Sequence, residues 1–372
     1  MRLEIQNNKI EQICPFCKNK INITICSVKD APLLLGCTEK KYVEDSFMDY
    51  DILQCRNCKL VFTNANLNEI AYSIVHSESI GRTWEEHHES FKKFVGKEQS
   101  DLILEIGPSN NPISRENTVF IDMFNECAFK LKPNEKYYKN RFPDFDTVDR
   151  FDKIIASHVF EHTTNPRLFL QKCKEILSTN GRIFLSIPNF LLWINEKYWN
   201  GITPEHQIYP TIYQVKILCD SLNLSLRIEY FKNHSVFLEI RKGIDSNKFR
   251  SEKDGVRIKE WCSSINNSIS IIESELIKRD VKSMFLVGAS HISQYPLLIS
   301  DEVKKRTKFV LDNSKSKHEK RLYGTKIMCK PFEILSDYEA PTVVMFNSPY
   351  YKEIATQIIS INQKSEIISD KV

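Results

Sequence analysis

The stretch from Asp101 to Pro112, D-L-I-L-E-I-G-P-S-N-N-P, constrains this chain more than any other. An apolar run from Leu102 to Ile106, broken only by Glu105, ends in Gly107-Pro108 and a polar turn. Buried parallel strands read as short apolar runs bounded by turn signals. A strand that stops at a glycine and opens into a polar loop is the first strand–helix turn of a nucleotide-binding sheet. There the backbone approaches the ligand, which sits beyond the carboxyl ends of the strands. Glu105, just before the turn, can accept hydrogen bonds from an amine or a hydroxyl. The full G-x-G-x-x-G is absent, with only Gly107 present, so the stretch alone also fits a buried strand leading into a plain loop.

The downstream strands decide between these two possibilities. Thr118 to Ile121 is a second apolar strand with Asp122 at its end, 15 residues past Gly107, where such a sheet places a ribose-binding acid. Lys153 to Ser157 is a further strand, with Ser157-His158 at its end. Asn165-Pro166 reads as helix cap and first turn, and Phe169, Cys173, Ile176 and Leu177 mark one helical face. Asn180-Gly181 is expected to end that helix and Arg182 to Ile187 to form a strand closed by Pro188-Asn189. Leu224–Tyr230 and Ser235–Arg241, joined by Lys232-Asn233-His234, predict a terminal antiparallel hairpin. The alternation gives an α/β, doubly wound sheet with an antiparallel edge.

Ahead of this sheet stand two C-x-x-C knuckles, Cys14-Pro-Phe-Cys17 and Cys55-Arg-Asn-Cys58. Each puts two thiolates on one tight turn, and four thiolates close a tetrahedral Zn²⁺ site with no position left for water, so the metal reads as structural. A redox C-x-x-C is disfavoured by the matched pair, and Cys26 and Cys37 read as core residues. Eleven cysteines point to a reducing compartment, and M-R-L-E-I-Q-N-N lacks the apolar core of a signal peptide, so a cytoplasmic location is expected. No apolar run approaches a membrane span. The net charge of +4 is dispersed, with no basic stripe for nucleic acid.

Residues 65–100 are expected to be largely helical. Tyr72, His76, Ser77, Ser79, Trp84, His87 and His88 make this stretch rich in polar and aromatic side chains. Residues 253–280 predict a long helix with Trp261, Ile265, Ile272 and Leu276 on one face. Beyond it, Ser283–Val287 and then Gly288-Ala-Ser-His291 start a second strand–turn–helix series. Phe309–Leu311 with Asp312-Asn313, Thr342–Phe346 and the helix Tyr350–Ile361 continue it. The expected division is a zinc-binding lobe at 1–64, a core with a leading helical segment at 65–245, and a helical linker with a smaller Rossmann-like domain at 246–372.

Glu105-Ile-Gly-Pro, Asp122, the run Phe151–His162 (F-D-K-I-I-A-S-H-V-F-E-H) and Gly181–Asn189 (G-R-I-F-L-S-I-P-N) together resemble the class I S-adenosylmethionine-dependent methyltransferases. The resemblance implies that Glu105, Gly107, Pro108, Asp122, Ser157 and His158 line a cofactor cleft. Asp122 would bind the ribose hydroxyls and Gly107 would approach the methionine part. Ser109-Asn110-Asn111 stand where further glycines are usual. The order of zinc lobe, methyltransferase core and C-terminal Rossmann-like domain is similar to that of the deoxysugar C-methyltransferases. That family carries a Tyr-x-Glu-His stretch where this chain has Thr203-Pro204-Glu205-His206. The resemblance implies that His206 is the general base with Glu205 orienting it. It also implies that Tyr72, His76 and Ser79 contact substrate, and that Gly288, His291, Asp312 and Lys315 are candidates for holding its nucleotide end. The expected function is methyl transfer to a small molecule, a nucleotide-linked sugar or glycan precursor. A non-catalytic binding or scaffold protein of a glycan or natural-product pathway is the other reading.

Overall fold

The computed structural model describes residues 1–65, 67, 80–96, 101–123, 127–244 and 257–371. The chain opens with an antiparallel sheet of β1 (Arg2–Glu11), β2 (Ile21–Pro32), β4 (Phe47–Cys55) and β5 (Val61–Thr63), with the short β3 (Cys37–Thr38) between β2 and β4. The first knuckle turns between β1 and β2, and the second between β4 and β5. In both, the amide four residues on donates back to the first cysteine's carbonyl, Lys18 to Cys14 and Lys59 to Cys55, each at 3.1 Å. Both lysines have a φ of 62°. The two turns therefore share one conformation.

The core comprises α1 (Arg82–Val95), β6 (Ile103–Ile106), β7 (Thr118–Asp122), β8 (Lys136–Lys139), β9 (Phe151–Ser157), α2 (Pro166–Ile176), β10 (Leu177–Pro188), α3 (Phe190–Asn195), β11 (Ile208–Tyr209), α4 (Ile212–Ser221), β12 (Leu224–Phe231) and β13 (Ser235–Lys242). Seven of these strands form one sheet in the order β12-β13-β10-β9-β6-β7-β8, parallel except at β13. Asn165 caps α2 by accepting from the Leu168 amide, with Pro166 in the first turn, as the sequence predicts. The expected stop at Asn180-Gly181 is not there. The helix ends at Ile176, and β10 runs from Leu177 through both residues, with a register shift against β9 between Leu177 and Arg182. A Cβ on Gly181 would lie 2.8 Å from the Leu177 side chain and 2.9 Å from the Phe151 carbonyl oxygen. This glycine admits a close approach of strands, a role that looks identical to a helix stop in one dimension.

The last part is α5 (Ile258–Lys278), β14 (Met284–Val287), α6 (His291–Ile299), α7 (Asp301–Arg306), β15 (Thr307–Leu311), β16 (Arg321–Leu322), β17 (Cys329–Lys330), β18 (Thr342–Met345), α8 (Tyr351–Ile361) and β19 (Glu366–Ser369). Five strands make a second parallel sheet, ordered β17-β15-β14-β18-β19. Trp261, Ile265, Ile272 and Leu276 of α5 are fully buried.

These units do not have separate cores. One apolar cluster joins Ile25, Val28 and Tyr50 of the first sheet to Trp199, to α5, and to Leu286 and Tyr295 of the last domain. A second joins Phe16, Leu53 and the knuckles to the inner face of the seven-stranded sheet. Two further ties are polar. Strand β16 pairs antiparallel with β3. Arg321 grips Asp45 with two bonds of 2.6 Å, and the Gly324 amide donates to the same carboxylate at 2.7 Å. The Asp45 side chain is 0% exposed. Among the described residues no helix is long and apolar enough to cross a membrane.

Breaking a buried ion pair from one side strands the other charge and costs about 3–5 kcal/mol. Asp45→Ala is therefore expected to lower unfolding free energy by that amount in urea titration, with the two halves of the chain losing cooperativity.

Candidate functional site

In the seven-stranded sheet the chain goes from β6 outward to β7 and β8, then returns to β9 on the other side of β6. The switch point lies between β6 and β9, and open sheets bind ligands at such a crevice beyond the strand ends. Gly107 ends β6 with a φ of +65°. A Cβ there would meet Val159 Cγ2 at 2.6 Å, so glycine serves both conformation and space. Pro108 beside it is buried. The loops after β6 and β9 thus converge.

Glu105 is buried, and both its oxygens are taken by the loop after its strand. Ile113 N–H donates to it at 2.7 Å and Ser114 N–H at 2.9 Å. It fixes the shape of the turn from beneath. Burial pushes its carboxyl up to about 7 against the pull of the two amides. Asp122 ends β7, half-buried. It accepts from the Met123 amide at 2.7 Å and the Ser109 amide at 3.4 Å. Ser157 ends β9, and His158 comes next with a φ of 54°.

His158 belongs to a cluster with His87 of α1 and His234 of the β12–β13 turn, a ring nitrogen of each lying within 4.8 Å of the others. Hydroxyls link them. His87 Nε2 lies 2.8 Å from Ser186 Oγ, His158 Nε2 lies 3.0 Å from Ser235 Oγ, and His234 contacts Ser235 Oγ at 2.5 Å and Tyr350 Oη at 2.8 Å. Trp84 sets an edge-on ring contact to all three, at 4.6–5.2 Å. Burial holds His87 down to about 2, His158 to about 3 and His234 well below the ordinary imidazole range. All three are neutral at physiological pH.

A second cluster brings together Glu161, His162 and His206, with one ligand atom of each within 4.8 Å of the others. Glu161 and His162 lie in the 3₁₀ turn Phe160–His162 just beyond Val159, the residue that touches Gly107. His206 comes from the segment between α3 and β11, and its ring lies 5.0 Å from that of His162. His162 Nδ1 lies 3.0 Å from the Glu205 carbonyl oxygen, and His206 Nδ1 lies 2.9 Å from that of Gly201. A carbonyl only accepts, so both Nδ1 atoms carry a proton, and in the neutral ring the lone pair is then on Nε2. The Gly201 carbonyl thus sets the tautomer of His206. Glu205 is buried, its amide donates to Thr203 Oγ1 at 3.2 Å, and its charge is felt by Tyr295 of α6.

In the sequence, Glu161 and His162 close the methyltransferase-like run without an assigned role. The signal that could have singled them out is the Glu-His dipeptide, which occurs at Glu161-His162 and Glu205-His206 and also at Glu86-His87. The other assigned positions are dispersed. Tyr72, His76 and Ser79 lie outside the described residues. His291 is buried at the start of α6, 2.7 Å from the Asn200 carbonyl oxygen. Asp312 joins two loops of the last domain, accepting from Ala289 N–H and Ser314 N–H, each at 2.8 Å, and pairing with Lys317. Gly288 follows β14 with a φ of 93°, and Lys315, three residues after Asp312, is exposed. The four knuckle cysteines do come together, with Sγ separations of 3.6 Å for Cys14–Cys58 and 3.5 Å for Cys17–Cys55. Zinc–sulfur bonds of about 2.3 Å put tetrahedral ligands about 3.8 Å apart. The four sulfurs are therefore able to hold a zinc ion with little movement.

Residues 88–223 match the family model described as a methyltransferase domain. These residues carry an α/β Rossmann-like methyltransferase fold, and the match spans about a third of the chain. Among solved structures, the 1,6-didemethyltoxoflavin N1-methyltransferase of Burkholderia thailandensis, determined with S-adenosylhomocysteine, is 10% identical over 42% of this chain and 78% of its own, with a TM-score of 0.35. The N-methyltransferase NodS of Bradyrhizobium japonicum is 14% identical over 43% of this chain and 97% of its own, with a TM-score of 0.34. No curated protein matches the chain by sequence. Gly107 and Asp122 both fall within the matched residues, at the ends of β6 and β7.

A glutamate whose folded pKa is raised stabilises the fold below its unfolded value of about 4.3 and loses that contribution as pH rises through the folded value. Wild-type stability relative to Glu105→Gln is therefore expected to fall between about pH 4.5 and 7.5. Chemical denaturation of both proteins across that range checks it; a constant difference is the contrary result.

Proposed function

We propose that this methyltransferase acts on a sugar, nucleotide-linked, and that His206 takes the acceptor's proton. The observation that carries the reading is the fixed tautomer of His206. Its Nδ1–H is held by the Gly201 carbonyl, which leaves Nε2 of the neutral ring to accept a proton, and its neighbours Glu161 and His162 follow two and three residues after Val159, which abuts Gly107. Sulfonium is an intrinsically good methyl donor, so the protein's task is to align the acceptor and remove a proton. His206 is suited to an acidic C–H beside a keto group or to a hydroxyl. Glu161 is the carboxylate within reach of the two imidazoles and can stabilise an imidazolium once formed.

The sugar assignment draws support from the resemblance to the deoxysugar C-methyltransferases and from the second parallel sheet, whose Gly288 turn is suited to a nucleotide. Zinc on Cys14, Cys17, Cys55 and Cys58 serves a structural role in this reading. Phe16 of the first knuckle packs 6.4 Å from Phe160, the residue before Glu161, so the metal lobe braces the catalytic turn.

Incubation with S-adenosylmethionine and a panel of nucleotide sugars, read by mass, is expected to show gain of one methyl group. His206→Ala is expected to lower turnover by about 10²–10⁴-fold while S-adenosylhomocysteine binding persists in calorimetry. Asp122→Ala is expected to abolish that binding. A folded chain that binds no S-adenosylhomocysteine would instead be the scaffold protein of the alternative reading. Cys55→Ser is expected to lose one zinc per chain by elemental analysis and to melt at lower temperature.

A further inference from the structure

We propose that Glu161, His162 and His206 form a divalent-cation site, distinct from the four-cysteine site, that grips two neighbouring oxygens of the acceptor. The ion is of the borderline class, such as Zn²⁺, Mn²⁺, Fe²⁺ or Co²⁺, because two imidazoles and one carboxylate select against Mg²⁺ and Ca²⁺.

Two independent observations converge. The first is composition: a ligand atom of each of the three residues lies within 4.8 Å of the others. Metal–ligand bonds of about 2.1 Å place adjacent ligand atoms about 3 Å apart, so side-chain rotation closes the set. Both imidazoles donate Nδ1–H to a backbone carbonyl, the outer-shell arrangement that orients metal-binding histidines. The second is the state of Glu161. It is 0% exposed, and no aligned hydrogen bond from another described residue reaches either oxygen. His158 Nδ1 comes within 3.1 Å of Oε1 without hydrogen-bond alignment. An uncompensated buried carboxylate costs several kcal/mol. Two imidazoles and a carboxylate gathered in one small space are a donor set that suits a divalent cation.

Two histidines and one carboxylate on one face leave the opposite face of the ion open. Two adjacent oxygens, as in a vicinal diol or a hydroxy ketone, complete the shell. This part rests on the reading that the acceptor is a sugar. With the cation bound, the His206 lone pair would be taken up as a ligand and the ion would activate the acceptor, so the base role proposed above belongs to the chain without this ion. A hydroxyl on the ion loses its proton to water, the oxygen pair forms a bond to the sulfonium methyl, and the S–CH₃ bond breaks to leave the neutral thioether.

The metal content can be tested without any sugar. Purified chain would be dialysed against Co²⁺ and read by absorption and elemental analysis. Two equivalents are expected, one with thiolate charge-transfer bands and one without. Cys55→Ser should lose only the first, and Glu161→Gln only the second. A folded His162→Ala chain should repeat the Glu161→Gln result if the latter fails to fold. A single thiolate-bound equivalent, or a second equivalent that survives in both variants, overturns the site. Methylation of a nucleotide sugar at an unchanged rate after the second equivalent is removed overturns its catalytic role and leaves His206 as the base. Failure of every sugar bears on the acceptor class alone.

Discussion

A two-residue strand determines where the candidate site of this protein lies. Ile208 and Tyr209 pair antiparallel with Phe62 and Val61, so a segment of the methyltransferase core becomes the fifth strand of the cysteine-bearing sheet. The Thr63 amide extends the ladder to the Gln207 carbonyl at 3.1 Å. His206 stands one residue before this junction. Its position is fixed by a sheet built from the other end of the chain, and Tyr209 locks the approach by donating from its hydroxyl to the Thr203 carbonyl at 2.9 Å. Register in a pleated strand is all-or-none, because a one-residue slip turns every side chain to the opposite face. A fixed strand this close gives the His206 imidazole, on a connecting segment, the defined position that its proposed role requires.

The same junction explains why the apolar cores are shared. Phe16, Leu60 and Phe62 lie with Phe160, Phe169 and Ile208 in one cluster, so the knuckles, the turn carrying Glu161 and the strand after His206 pack as one body. On the other side, Trp199 and Tyr209 bury against Trp261 of α5, which carries the last domain. The site is therefore built where three sheets meet. Polar groups enclosed there must find partners, and they do so in two styles. The three histidines around Trp84 are satisfied by Ser186, Ser235 and Tyr350. Around Glu161 two imidazoles and a carboxylate gather, and no aligned hydrogen bond from another described residue reaches the carboxylate.

Much of the sheet was legible from short-range chemistry. Leu102–Ile106 bounded by Gly107-Pro108, Asp122 at the end of its strand, the Asn165-Pro166 cap and the terminal hairpin each carry their signal within a few residues. Gly181 misled because a glycine after an apolar helix face marks a stop as readily as a close strand contact, and only the neighbouring Phe151 carbonyl tells them apart. Glu105 was legible as a buried acid at a strand end. That its two oxygens would be claimed by Ile113 and Ser114 depended on the path of the loop. His291 and Asp312 were found by motif order, and their partners, the Asn200 carbonyl and the loop amides of Ala289 and Ser314, come from separate segments.

The amino-acid sequence by itself determined the alternation of strands and helices, the two matched cysteine turns and the acids at the strand ends, because these depend on neighbours a few residues apart. Tertiary structure alone decided that Glu161 and His162 would face His206, more than forty residues further along. Side chains that distant become neighbours only when strand pairing and apolar burial have closed the loops between them, and no local pattern encodes which loops those will be.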